Sequence, residues 1–256
     1  PAPTDAGRAE TRYLAPRGAS ISIFGGQTDW SPAKMAIVNA ANCGGLEGGG
    51  VDGAIVQAGG PELAQDRRAL PIRSGTRRER IETGGAVLTG PGNYGQIFVA
   101  NVIHAVGPDY RQMGGAIGKT LEDGDELLRR AYAQAMAVAA EAGVEYLGFS
   151  LLSAGNFRGP RSRAQVLRIG LETVSATAYR GLREVHFVAL GAEERETLRR
   201  LMQEGQAEPG WRGTVAGPGP QVARAQANDA LVLPPEAQHD VAISGASNFR
   251  PAYTPP

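Results

Sequence analysis

One cysteine, Cys43, stands in the whole 256-residue chain, so no disulfide can form within it. That suits a reducing compartment, and an intracellular setting, cytoplasmic or nuclear, is expected. No apolar run approaches the roughly 20 residues needed to cross a bilayer, so no membrane partner is expected. The first residues show no signal-peptide core, although a start at Pro1 rather than Met leaves room for an upstream targeting segment. Net charge is absent too, with 26 Lys and Arg against 26 Asp and Glu. Nucleic-acid surfaces carry a positive excess, which argues against nucleic acid as the main partner and leaves only a local basic patch. There are three histidines, and no cluster of His, Cys or carboxylates suggests a metal. No cofactor is expected either.

Glycine is plentiful, at 36 residues, with 17 prolines and 42% apolar residues. The apolar share is that of an ordinary globular domain. The length fits one large domain or one domain with extensions. Many turns and close-approach loops should follow from the glycines and prolines.

Patterning predicts strands at 20–24, 35–40, 84–90, 96–107, 145–152 and 184–190. Helices are predicted at 51–59, with Val51, Ile55 and Ala58 on one face, and at 61–70 from Pro61, after a Gly59-Gly60 break. Further helices are expected at 125–143, 164–181 and 192–204. Residues 109–124 read as a polar loop. Strands alternating with helices imply an α/β layered sandwich with a mostly parallel sheet. Residues 1–17 read as an arm. Residues 205–256, rich in Pro, Gly and Ala, read as a C-terminal extension.

The segment "NAANCGGLEGGGVDGAI" (39–55) places six glycines beside Asn39, Asn42 and Asp52. Glycines bare the backbone, and N–H groups near a helix start make an anion site. The natural tenant is a phosphate or diphosphate; a plain surface loop is the bland alternative. No P-loop pattern occurs. Gly48, Gly50 and Gly53 satisfy G-x-G-x-x-G, but the preceding strand ends near Ala40, too early for a dinucleotide turn.

"AIVNAAN" followed by "GGGVDGAI" resembles the first ligand loop of macro domains, the ADP-ribose-binding fold. Asn42, then six residues, then Gly49-Gly50-Val51-Asp52 is similar to the subgroup that hydrolyses mono-ADP-ribosyl links. "TGGAVLTGPGN" (83–93) resembles a further family segment, with Gly85 in place of the usual Glu. "VIHAVGP" (102–108) resembles a family strand, and "LLSAGNFRGP" (151–160) resembles the second ligand loop. The resemblance implies a three-layer α/β/α sandwich with a central mixed, mostly parallel sheet over residues 18–204. It also implies action on ADP-ribose and mono-ADP-ribosylated proteins, and a monomer is expected.

The roles that follow are what the resemblance implies. Asp52 orients a water or a hydroxyl of the distal ribose, where the alternative is a helix-start charge favoured by the dipole. Asn42 bonds that ribose, or is only a turn residue. Asn39 braces the loop. Gly48, Gly49, Gly50 and Val51, with Ser153, Ala154, Gly155 and Asn156, supply backbone to the diphosphate, and Phe157 walls the distal ribose. Asn156 and Arg158 depart from the family's usual residues. Arg158 either gives the diphosphate a charged contact or points to solvent. The adenine-holding Asp of the family falls at Gly26, which leaves a backbone group, Gln27 or Asp29 for that task. His104 reads as a core histidine, and Cys43 lacks a paired histidine. The activity implied is removal of mono-ADP-ribosyl groups from acidic side chains, with O-acetyl-ADP-ribose deacetylation beside it. The alternatives are a non-catalytic ADP-ribose reader, a dinucleotide oxidoreductase and a poly(A)-type binder.

Overall fold

The computed structural model describes residues 20–24, 31–46, 48–114 and 119–206. The expected arm (1–17), nearly all of the C-terminal extension, and Gly26, Gln27 and Asp29 lie outside the described residues.

Six strands form one sheet: β1 (Ser20–Phe24), β2 (Met35–Ala40), β3 (Ala86–Thr89), β4 (Asn101–Ala105), β5 (Tyr146–Ser150) and β6 (Glu184–Val188). Their order is β1-β6-β5-β2-β4-β3. The four inner strands are parallel, and β1 and β3 pair antiparallel at the two edges. The inner strands are buried on both faces and read as nearly continuous apolar runs, as parallel sheets do.

Alternation along the strands sorts the side chains into two cores. Met35, Ile37, Val102 and Tyr146 face α1 (Gly50–Ala69), where they meet Ile55, Ala58 and Leu63. Ala36, Val38, Ile103, Leu147 and Phe149 face the other way. That larger core is closed by α2 (Leu121–Glu141), α3 (Arg163–Ala176) and α4 (Ala192–Gln206). The layers are therefore helix, sheet, helix, as expected.

Three elements differ from expectation by four residues or more at a boundary. α2 starts at Leu121 rather than 125, because Thr120 and Asp123 form a reciprocal capping box that ends the preceding loop early. The apolar run 96–107 yields a strand only over 101–105. Ile97 and Val99 are buried against α1 without joining the ladder, because the turn at Gly95 (φ 52°) hands its following N–H groups to Ala58 and Tyr94 carbonyls. α3 ends at Ala176, before the expected 181.

α1 is two helices in succession. Gly60 adopts φ 66° and ψ −163°, and Pro61 starts the second half. The Ala58 carbonyl, which would have continued the first half, accepts from the Gln96 N–H at 2.7 Å instead.

Candidate functional site

Because the inner strands are parallel, their C-terminal ends share one edge of the sheet, where α/β folds gather ligands. Loop 1 (41–49) leaves β2 there, and loop 2 (151–162) leaves β5. β2 and β5 are neighbours, so the two glycine-bearing loops rise side by side.

The loop 1 glycines are of two kinds. A Cβ on Gly48 would stand 2.5 Å from Asp52 Oδ2, and one on Gly53 would stand 2.7 Å from the Gly48 carbonyl oxygen. These two are bare so that the loop can pack on α1. At Gly49 and Gly50 an added Cβ would meet nothing within 4 Å. Gly49 is the N-cap of α1 and offers no side-chain cap, while Gly50 sits at φ 62°. The first-turn N–H groups thus stay available to an anion.

Beneath loop 1 lies a buried polar knot. Register pairs Asn39 with His104 across β2 and β4, and alternation turns both toward α1. The Asn39 amide nitrogen donates to Asp52 Oδ1 at 2.5 Å and lies 3.1 Å from His104 Nδ1. With Nδ1 accepting, His104 Nε2 carries the proton and donates to Thr89 Oγ1 at 3.0 Å. Burial lowers the His104 pKa to about 3, with the nearby Arg67 charge adding to the effect, so the ring is neutral at physiological pH.

Arg67, 1% exposed, completes the knot. Its Nε donates to the Gly45 carbonyl at 2.9 Å and its Nη2 to the Leu46 carbonyl at 2.6 Å. Its Nη1 stands 2.9 Å from Asp52 Oδ1, an ion pair whose N–H is not aligned as a hydrogen bond. Asp52 itself is 3% exposed. Its Oδ2 has no partner and lies against Gly48, beside the Asn42 amide.

The structure brings Asn39, Asn42, Gly48 and Asp52 together. Asn39 holds Asp52 directly rather than bracing the loop alone. Asn42 donates to the Leu46 carbonyl at 3.2 Å, within its own loop. Val51 is partly exposed on the first turn of α1. His104 is a core residue, as expected, and Cys43 lies 3.4 Å from Thr83 Oγ1.

Loop 2 is built differently. Ser153 adopts φ 54°, an uncommon angle for a residue with a Cβ, and its hydroxyl donates to the Pro108 carbonyl at 2.7 Å. The buried Tyr132 hydroxyl accepts from the Leu152 N–H at 3.1 Å. Ala154 is buried, and Gly155 borders open space. Asn156, Phe157 and Arg158 form one 3₁₀ turn, of which Asn156 and Phe157 are exposed. The Arg158 guanidinium bonds the Arg161 carbonyl inside the loop through one of its nitrogens. The cation above Phe157 is Arg111, 5.0 Å from the ring centroid and doubly bonded to Asp109. Those bonds hold the Asp109 carboxyl below the usual carboxylate range.

A concavity of about 220 Å³ is lined by Leu46, Val56, Ala64, Arg67 and Arg68. It lies on the α1 side of loop 1 rather than among the loop 2 residues, and Arg67 and Arg68 are its polar lining. Among the described residues no group of His, Cys, Asp or Glu could hold a metal ion, and no helix is long and apolar enough to cross a membrane. Sequence reasoning missed Arg67, Thr89 and Arg111. The one available signal was the Gly59-Gly60-Pro61 break, which turns the chain after Asp52 back toward its start.

Comparison with known proteins follows the same line. The family model described as "Macro domain" matches residues 38–167, about half of the chain. A macro domain-containing protein of Caldanaerobacter subterraneus subsp. tengcongensis is 37% identical over 170 residues, covering 66% of this chain and 88% of its own. O-acetyl-ADP-ribose deacetylase 1 of Pantoea vagans is 34% identical, covering 65% of this chain and 90% of its own. The Oceanobacillus iheyensis macrodomain, solved with ADP, is 27% identical with a TM-score of 0.56, covering 67% of this chain and 84% of its own. Other solved forms of that protein carry substitutions at an asparagine, at a glycine seven positions on, and at an aspartate three beyond that. Asn42, Gly49 and Asp52 repeat this spacing.

Proposed function

The chain belongs to the macro domain family, and from that premise we propose that it binds ADP-ribose between loops 1 and 2 and hydrolyses mono-ADP-ribosyl groups from acidic side chains. One observation carries the reading: the Asp52 carboxylate is held by Oδ1 while Oδ2 is unpartnered, at the first turn of an uncapped helix. The open N–H groups at Gly49, Gly50 and Val51 suit the diphosphate, and those of Gly155 and Asn156 face it from loop 2. The distal ribose then falls toward Asn42 and Asp52, with Phe157 at its edge.

In the reaction, water adds to the anomeric carbon of the distal ribose. The bond from that carbon to the acceptor carboxyl oxygen breaks, and the acceptor leaves as a carboxylate. The proton released by the water goes to Asp52 Oδ2 or to a phosphate oxygen of the substrate. Gly48 lies against Oδ2, so substrate reaches this oxygen only when that contact opens. Attack on an acetyl ester of the same ribose would give deacetylation, the activity for which the Pantoea relative is named.

A non-catalytic reader is the second reading. It is favoured by the closure of Asp52 beneath Gly48 and by Asn156 and Arg158 in loop 2. Calorimetry with ADP-ribose, followed by release of ADP-ribose from a mono-ADP-ribosylated protein by wild type and Asp52→Ala, separates the two. Binding with release that Asp52→Ala abolishes supports the hydrolase. Binding with no release by wild type leaves the reader.

A further inference from the structure

We infer that Arg67 is a positioning residue for the Asp52 carboxylate and for loop 1, an inference that rests on the hydrolase reading for its catalytic consequence alone. Asp52 and Arg67 are 15 residues apart in α1. In an unbroken helix they would lie roughly 22 Å apart along the axis, at about 1.5 Å per residue. The left-handed Gly60 and the restart at Pro61 turn the second half of α1 back, so that Arg67 meets both the first turn and the loop preceding it.

The guanidinium then works on two elements at once. One edge takes the Gly45 and Leu46 carbonyls, and Nη1 pairs with Asp52 Oδ1. A planar fork with fixed donor directions does this; an ammonium has three donors on one nitrogen and no rigid fork to span a carboxylate and two loop carbonyls. Together with the Asn39 amide, the pair occupies Oδ1 and leaves Oδ2 as the unpartnered oxygen of this carboxylate. Arg67 therefore selects which oxygen faces Gly48 and Asn42, and it fixes the loop carbonyls on the side away from that oxygen. It touches no substrate group in this arrangement and acts through Asp52.

The test uses the full chain as wild type, Arg67→Lys and Arg67→Met. Each is assayed for thermal melting, ADP-ribose affinity by calorimetry, single-turnover release of ADP-ribose from a mono-ADP-ribosylated protein, and amide hydrogen exchange across 42–52. For Arg67→Lys the release rate should fall tenfold or more while the ADP-ribose Kd changes by less than about threefold. Exchange of the loop 1 amides should quicken at least tenfold. Arg67→Met should lose more rate than Arg67→Lys; if it does not fold, Arg67→Lys decides. A release rate within twofold of wild type, or rate and affinity falling by one common factor, overturns the positioning role. If wild type binds ADP-ribose and releases none, the hydrolase reading fails by itself. Exchange then judges Arg67, and unchanged protection of loop 1 in Arg67→Lys overturns the inference.

Discussion

Loops 1 and 2 leave neighbouring strands and offer backbone at the same sheet edge, yet they are fastened at different depths. Loop 1 is tied from below by charge. A fully buried arginine grips its carbonyls, and the same arginine grips the carboxylate that the loop covers. Loop 2 is tied by two neutral groups, the Tyr132 and Ser153 hydroxyls, and at its far end by Arg161, which is partly buried and pairs with Asp125 and Glu122 of α2. Removing one partner of a buried ion pair leaves the other stranded, whereas a rim ion pair is screened by water. The contrast makes loop 1 the stiffer side of the candidate site and loop 2 its more adaptable wall.

The largest test of this contrast is Arg67→Met, which strands Asp52 and two carbonyls. It should lower unfolding stability by about 3–5 kcal/mol in urea melts. Arg111→Met, which removes the exposed cation stacked over Phe157 of loop 2, should change it by less than about 1 kcal/mol, and equal losses would erase the distinction.

Acid attacks the same knot. His104 titrates at about 3 in the fold against 6.5 in the unfolded chain, so below pH 6.5 the unfolded state binds the extra proton. Stability is unaffected by this group above pH 6.5 and declines as pH falls, with the effect complete near pH 3. By pH 4 the loss should be about 3 kcal/mol, at roughly 1.4 kcal/mol per unit. His104→Gln should flatten that decline in melts taken from pH 7 to 4; an identical slope would show that other groups dominate.

A backbone test for loop 2 is Gly159→Ala. Gly159 has φ 55°, and a Cβ there would stand 2.7 Å from the Tyr110 carbonyl carbon. A loss of about 1–3 kcal/mol is expected, with the ADP-ribose Kd weakened more than the melting point alone suggests. The smallest effect belongs to Phe157→Ala. The ring is 41% exposed, so stability should move by under about 1 kcal/mol, and a substrate-side effect on affinity would be the informative result.

Much of the fold was legible because it follows from period and punctuation. β2 reads as a buried strand from its apolar run, and the Gly59-Gly60-Pro61 break announced the division of α1. Helix α2 was placed four residues late because Thr120 and Asp123 lie beyond the apolar stripe that signals a helix, and only their mutual hydrogen bonds reveal the cap. The β4 run was overextended because burial against α1 and burial in a ladder leave the same apolar pattern.

Bare backbone was legible in the sequence at Gly49, Gly50 and Gly155, where an added Cβ would meet nothing within 4 Å. The candidate site was not legible where it rests on a distant partner. Nothing local marks Arg67 among its neighbours in "QDRRAL", and only the reversal at Gly60 gives it Asp52. Arg158 was also out of reach, since its partner is a carbonyl of its own loop.

Gly60 touches nothing in either loop, and a map of ligand contacts would leave it blank. Its backbone angle nevertheless decides whether a cation arrives beneath the carboxylate. If the proposed hydrolysis holds, a survey of variants scored only by turnover would therefore rank Gly60 beside Asp52, and would invite a search for a chemical role that a glycine cannot have. What such a survey would be detecting is a hinge set once, when the chain folds, whose angle is read out two turns of helix away as reactivity.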